Sequence, residues 1–120
     1  MSESKLRTET MDFAVSIINL VKDLKLKKEN IISNQIGRSG TSIGANIREA
    51  QYAQGKADFV SKLKIALKEA NETGSWLELL YKTDYIDEAA FKSLDSACTS
   101  IRIMLITSVN TVTAKEKLSQ

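Results

Sequence analysis

The sequence of 120 residues has no histidine and no proline, and only one cysteine and one tryptophan. Without histidine, neither the Glu-x-x-His pairs of a ferritin-like di-iron bundle nor a serine or cysteine triad with an imidazole base can be built. Without proline, no position inside a helix loses its backbone donor. A lone Cys98 rules out an internal disulfide and a cysteine-cluster metal site, and fits a reducing compartment. An excess of one charge is missing too. Seventeen basic against fifteen acidic side chains leave +2, short of the strongly basic domain expected of a dedicated nucleic-acid binder. Residues 1–7 carry charges and no apolar segment of the signal-peptide kind. No uncharged run approaches the roughly 18 residues of a membrane span. The expectation is a cytoplasmic, non-enzymatic chain without membrane insertion, cofactor, metal or small-molecule substrate.

What is present is helical periodicity. The length suits one domain with a single core. Met11, Ala14, Ile18 and Val21 form one apolar stripe, and Phe13, Ile17, Leu20 and Leu24 form a second beside it. A surface helix usually carries one such stripe, so this helix is expected to be covered on two sides, the second by another subunit. Lysines 22, 25, 27 and 28 follow in a charged connector. Asn30 is placed to cap a second helix, on which Ile32, Ile36, Ile43, Ile47 and Ala50 repeat at threes and fours. Gly55 is read as its left-handed terminator.

A third helix carries Phe59, Leu63, Ala66, Ala70, Leu77 and Tyr81, with Val60, Leu67 and Gly74 alongside. Asp87 caps the fourth, with Ile86 and Phe91 spaced as a hydrophobic staple. Its apolar stripes are Phe91, Leu94, Cys98, Ile101, Leu105 and Val112, and Ala90, Ala97 and Met104. The expected helices span about residues 8–25, 30–53, 57–82 and 87–113, with a frayed tail. Short connections between helices of this length make antiparallel neighbours. The fold class is therefore all-α, an up-down-up-down antiparallel four-helix bundle over residues 1–120.

The unusual stretch is residues 37–51, where three glycines interrupt the second helix, each at a cost of roughly 1 kcal/mol relative to alanine. Gly37, Gly40 and Gly44 fit neither common phosphate-loop spacing, and no strand precedes them. Close packing is the compensation that remains: Gly40 fills the gap in the isoleucine stripe and Gly44 borders it. Gly40, Ser42, Ile43, Gly44 and Ile47 thus form a helix-packing motif. Arg38, Asn46, Arg48 and Glu49 are candidates for contact with a partner. Asn46 and Glu49 either join a polar network, with Arg38, Arg48 or Arg102 as partners, or face solvent. Cys98, on an apolar stripe, reads as a buried small hydrophobe, and Trp76 as packing in preference to a base-stacking platform. Lys22, Lys25, Lys27, Lys28, Lys62, Lys64 and Lys68 are candidate phosphate contacts for RNA or DNA.

The run Ser42-Ile43-Gly44-Ala45-Asn46-Ile47-Arg48-Glu49-Ala50 resembles the signature of the bacterial 23S rRNA intervening-sequence (S23 ribosomal protein) family. Asp58-Phe59, then Ile65 to Ala70, Glu72-Thr73, Trp76-Leu77 and Tyr85-Ile86 extend the resemblance over residues 13–104. Many members carry proline where this chain has Gly44, and glycine where it has Ala50 and Asp84. The resemblance implies an up-down four-helix bundle assembled as a homo-oligomer, with a pentamer favoured, encoded in some bacteria inside an insertion of a large-subunit rRNA gene. A similar group, the accessory proteins of diversity-generating retroelements, binds nucleic acid and a reverse transcriptase through a basic surface. The alternatives to self-assembly alone are accordingly RNA binding through the lysines and an adaptor role toward a polymerase.

Overall fold

The computed structural model describes the backbone of residues 3–119 and the side chains of residues 5–115. Four helices account for nearly all of it: α1 Glu3–Leu26, α2 Ile31–Gln51, α3 Lys56–Lys82 and α4 Glu88–Ser119. The contacts join α1 to α2, α2 to α3, α3 to α4 and α4 back to α1, with no diagonal pair in contact among the described residues. Going down α2 through Gly37, Gly40 and Gly44, the facing residues of α1 run upward through Val21, Ile17 and Thr10. That pair is antiparallel. The bundle is all-α, up-down-up-down, 54 × 23 × 20 Å.

Of the two stripes on α1, one lies inside. Phe13, Ile17, Leu20 and Leu24 join Ile36, Ile43 and Ile47 of α2, Leu63, Ala66, Ala70, Leu77 and Leu80 of α3, and Cys98, Ile101 and Leu105 of α4 in one core. Each aliphatic side chain of that size contributes roughly 1.5–3 kcal/mol on burial. Helix α1 begins earlier than the charged residues 1–7 suggested, because Leu6 is buried and continues the stripe of Phe13 about two turns upstream.

The helix ends differ from the sequence reading in four places. Asn30 makes no side-chain capping bond. The cap comes instead from buried Glu29, whose carboxylate accepts from the amides of Ile31 at 3.2 Å and Ser33 at 2.8 Å. A carboxylate there satisfies free amide groups and sits at the positive end of the helix dipole. Gly55 does not terminate α2, which ends at Gln51. It is extended, with φ 173°, and stands at the N-terminal boundary of α3. The left-handed positions fall on Lys28 (φ 63°) and Asp84 (φ 64°). Each closes a helix by a pair of reverse bonds, Lys28 to Lys25 and Glu29 to Leu24 in one turn, Asp84 to Tyr81 and Tyr85 to Leu80 in the other; this is the Schellman arrangement, in which glycine is the usual residue. Finally, α4 does not stop at residue 113 but runs to Ser119. Val112 and Lys115 lie along an open cleft shared with Ala53, Gly55, Lys56 and Phe59, next to the connection between α2 and α3. Asp87 caps α4 as expected, accepting from the Ala90 amide at 2.8 Å.

Candidate interaction surfaces

The glycine stretch proves to be a seam between α1 and α2. A Cβ on Gly40 would stand 2.9 Å from both γ carbons of Ile17, a fully buried side chain, and one on Gly37 would stand 3.3 Å from Val21. At Gly44 the neighbour is Thr10, at 3.4 Å. Thr10 is itself buried, its hydroxyl donating to the Leu6 carbonyl at 2.8 Å, so α1 turns a satisfied hydroxyl toward the glycine without needing a partner across the seam. Ile43 and Ile47 are buried beside it. Ser42 is not at the seam; its hydroxyl bonds back to the Arg38 carbonyl of its own helix.

The opposite side of α2 meets α3 through polar groups. Ser39 and Thr73 are both fully buried, and their hydroxyl oxygens lie 2.8 Å apart. Thr73 also bonds the Glu69 carbonyl at 2.8 Å. At the rim, the Arg38 guanidinium bridges the carboxylates of Glu69, at 2.9 Å, and Glu72. Arg38 thus ties α2 to α3 while about half of its side chain stays exposed. Of the two alternatives for Asn46 and Glu49, a polar network or exposure to solvent, no network between them is seen. Asn46 donates to the Ser42 carbonyl of its own helix, Arg48 and Glu49 are exposed, and Arg102 reaches from α4 toward Gly74 of α3. Networks of this kind need a helix register that no single helix reveals.

The seven lysines are not brought together. Lys25 bonds Asn34, and Lys27 pairs with Asp23 and donates to the Tyr85 carbonyl, tying together the two turns at one end of the bundle. Lys22 and Lys28 are exposed at that end. Lys62 is half-buried, and Lys64 and Lys68 are exposed, in the first half of α3. At 1.5 Å per residue, Lys68 stands roughly 20 Å from the end of α3 where the other group lies.

Cys98 is buried, with its thiol directed at the Ala70 carbonyl 3.3 Å away. Burial pushes its pKa up to about 11, against a smaller opposing pull from Arg102 and a small push from Asp95. It is therefore a neutral core thiol at physiological pH. Trp76 is partly buried and packs against the core with its indole nitrogen inside. Among the described residues no group of acidic, cysteine or histidine side chains is arranged to hold a metal, and no helix is long and apolar enough to cross a membrane.

The surfaces that stand out are apolar. The second stripe of α1 is covered only in part: Val21 packs against the core and Ala14 is half-buried, whereas Met11 is 61% exposed and Ile18 42%, and with Val15, 54% exposed, they form an open apolar row. On α4, Ile103 and Ile106 are 59% and 45% exposed. The sequence reading missed these two, although a signal was present. Across residues 96–114 Arg102 is the one charged side chain, and a solvated helix face normally carries several.

The sequence matches the family described as 23S rRNA-intervening sequence protein over residues 2–107. No curated protein matches it. Among solved structures, it is similar to a protein of unknown function from the S23 ribosomal protein family of Bacteroides thetaiotaomicron VPI-5482, with 50% identity and a TM-score of 0.90 over 92% of this chain and 99% of that one. With more than half its length matched, and the same four-helix fold, the chain belongs to the 23S rRNA-intervening sequence protein family.

Proposed function

We propose that this protein is a non-enzymatic assembly protein that works as a homo-oligomer, with a pentamer as the favoured state. The observation that carries the reading is the outer stripe of α1. Met11, Val15 and Ile18 repeat at helical spacing directly opposite the buried row Phe13, Ile17, Leu20 and Leu24, yet remain exposed in a single chain. Contiguous apolar surface of this kind marks an interaction site more often than a tolerated defect. Light scattering or sedimentation equilibrium at micromolar concentration tests it. An oligomer is expected, and a monomer across that range overturns the reading.

A second reading, nucleic-acid binding, has support from Lys64 and Lys68. Both point to solvent from α3, and neither has a carboxylate within ion-pairing distance among the described residues. Repetition of this pair around an oligomer multiplies a modest charge into an extended one. The expected result is RNA binding that weakens steeply with salt and is lost in the Lys64→Glu/Lys68→Glu variant; equal binding by that variant removes the lysines from the account.

A further inference from the structure

The end of the bundle where α2 gives way to α3 is not closed over. The open cleft beside that connection has a volume of about 490 Å³, with Ala53, Gly55, Phe59 and Val112 along its sides. Ala50, Gln51 and Phe59 also border a smaller pocket of about 50 Å³ that continues inward to Leu6, Ile47 and Leu63. Those last three side chains are buried, so the floor of the cleft is the hydrophobic core itself. The hydroxyl on this inner wall, that of Ser108, donates to the Met104 carbonyl of its own helix at 2.9 Å. Such a pocket offers water few hydrogen-bonding partners and suits an apolar group instead.

The mouth has the opposite character. The charged residues that line it, Lys56 and Lys115, are both exposed cations. Lys56 has no carboxylate within ion-pairing distance among the described residues. Two carboxylates lie nearby in sequence but outside the lining: Asp58 accepts from the Gln54 amide at 3.3 Å, and Glu49 is exposed on α2. The first turn of α3 has no side-chain cap, so the positive end of its dipole at Gly55 adds to the same sign. Between mouth and floor stands Gln51, whose side-chain amide makes no hydrogen bond among the described residues.

An apolar floor beneath a cationic rim complements a molecule with an aliphatic tail and an anionic head. We infer that this cleft binds a small fatty acid, with the end of its tail in the pocket over Leu6, Ile47 and Leu63 and its carboxylate at Lys56 and Lys115. The cleft falls within the roughly 300–1,000 Å³ of small-molecule sites, which are mostly apolar with a few placed polar groups. A phosphate of a nucleic acid would satisfy the lysines and leave the pocket empty. A neutral alcohol would fill the pocket and leave the lysines unused. All four helices of one chain contribute to the site, so it is complete whether or not the protein assembles.

Isothermal titration calorimetry of the full chain with sodium hexanoate, heptanoate and octanoate tests this, with amide shifts of Gln51 and Gly55 in NMR spectra as the second measurement. Affinity is expected to rise about two- to fourfold per added methylene as each one is buried. Octyltrimethylammonium, with the same tail and the opposite head charge, is expected to bind far more weakly. Lys56→Glu should weaken octanoate by about tenfold, the effect of losing one exposed ion pair and adding a repulsion of similar size. Ala53→Trp, which sets an indole in the open cleft, should abolish binding. Neither position is in the core, and circular dichroism checks that both variants keep their helicity. Equal affinity for octanoate and the ammonium compound, or undiminished affinity in Lys56→Glu, overturns the inference. Affinity that ignores tail length overturns it too, because the anion is then held at the surface alone. Absence of heat and of shifts with millimolar octanoate also overturns it; binding of a leucine-terminated peptide in its place would assign the cleft to the C-terminus of a protein.

Discussion

Helix α2 is packed on two sides by opposite means. Toward α1 it presents Gly37, Gly40 and Gly44, and what crosses the seam is aliphatic or an already satisfied hydroxyl. Toward α3 it presents Ser39 and Arg38, and what crosses is a buried hydroxyl pair and a rim of ion pairs. The first seam is specified by volume and has no polar register. The second is specified by polar partners and leaves room for side chains. Substitutions at the two seams should therefore fail for different reasons, and the variants below separate them.

The largest effect is expected at Gly40. A Cβ there already meets both γ carbons of Ile17 at 2.9 Å, and Ile17 is fully buried and branched at its β carbon, so it has nowhere to turn. Gly40→Leu should destabilise the bundle by about 2–3 kcal/mol, the overpacking cost exceeding the roughly 1 kcal/mol that removing a helical glycine returns. Urea denaturation measures it, and an unchanged midpoint would show that the seam opens freely. Next comes the polar side. Thr73→Val keeps the shape but leaves the Ser39 hydroxyl buried without its partner, at an expected cost of about 1–2 kcal/mol. The double variant Ser39→Ala/Thr73→Val should recover part of that loss, since a pair removed together leaves no orphan; additive losses would contradict the polar account of this seam.

These two seams also mark how far the sequence could be read. The isoleucines of α2 and the gap filled by Gly40 were legible because burial imposes a period on one helix, and that period survives in one dimension. The Thr73–Ser39 and Arg38–Glu69 contacts were not, because they join residues more than thirty positions apart and depend on the register of α3 against α2. Local chemistry misled where several residues offered the same service. Asn30 is a good cap by type, but Glu29, one residue earlier, reaches the same amides with a charged group. Gly55 accepts any backbone angle, so its presence did not fix a left-handed turn, whereas Lys28 and Asp84 were driven into that conformation by the closing bonds of their helices. On the outer surface, Met11 and Ile18 of the exposed α1 row were legible as part of an apolar stripe, whereas Val15 lay outside it and Val21 of that stripe packs inward. The α4 face was overlooked because its signal is a lack of charge, which a search for apolar repeats passes over.

A smaller effect is expected at the rim of the polar seam. Arg38 is about half exposed, and exposed ion pairs contribute at most about 1 kcal/mol. Arg38→Met, which keeps the aliphatic stem, should lower stability by up to that amount at low salt and by almost nothing at 1 M salt, where screening acts within about 3 Å. A loss that persists undiminished at high salt would mean that the stem, not the charge, holds α3, and the contrast between the two sides of α2 would weaken.

The smallest effect should carry the opposite sign and divide the glycine seam itself. Gly44 lies one turn from Gly40, but its nearest neighbour across the seam is Thr10 at 3.4 Å from the position of an added Cβ, an ordinary contact. The Thr10 hydroxyl stays bonded to Leu6 and need not move. Gly44→Ala should therefore stabilise the protein, by a few tenths to about 1 kcal/mol, through the lower entropy of the unfolded chain and the better helix propensity of alanine. Gly40→Ala, with its Cβ pressed into Ile17, should lose more than it gains. If both variants are stabilised, close approach is not what places glycine in α2. If both are destabilised, the seam is tight along its whole length, and α1 is held against α2 more closely at Thr10 than the 3.4 Å spacing implies.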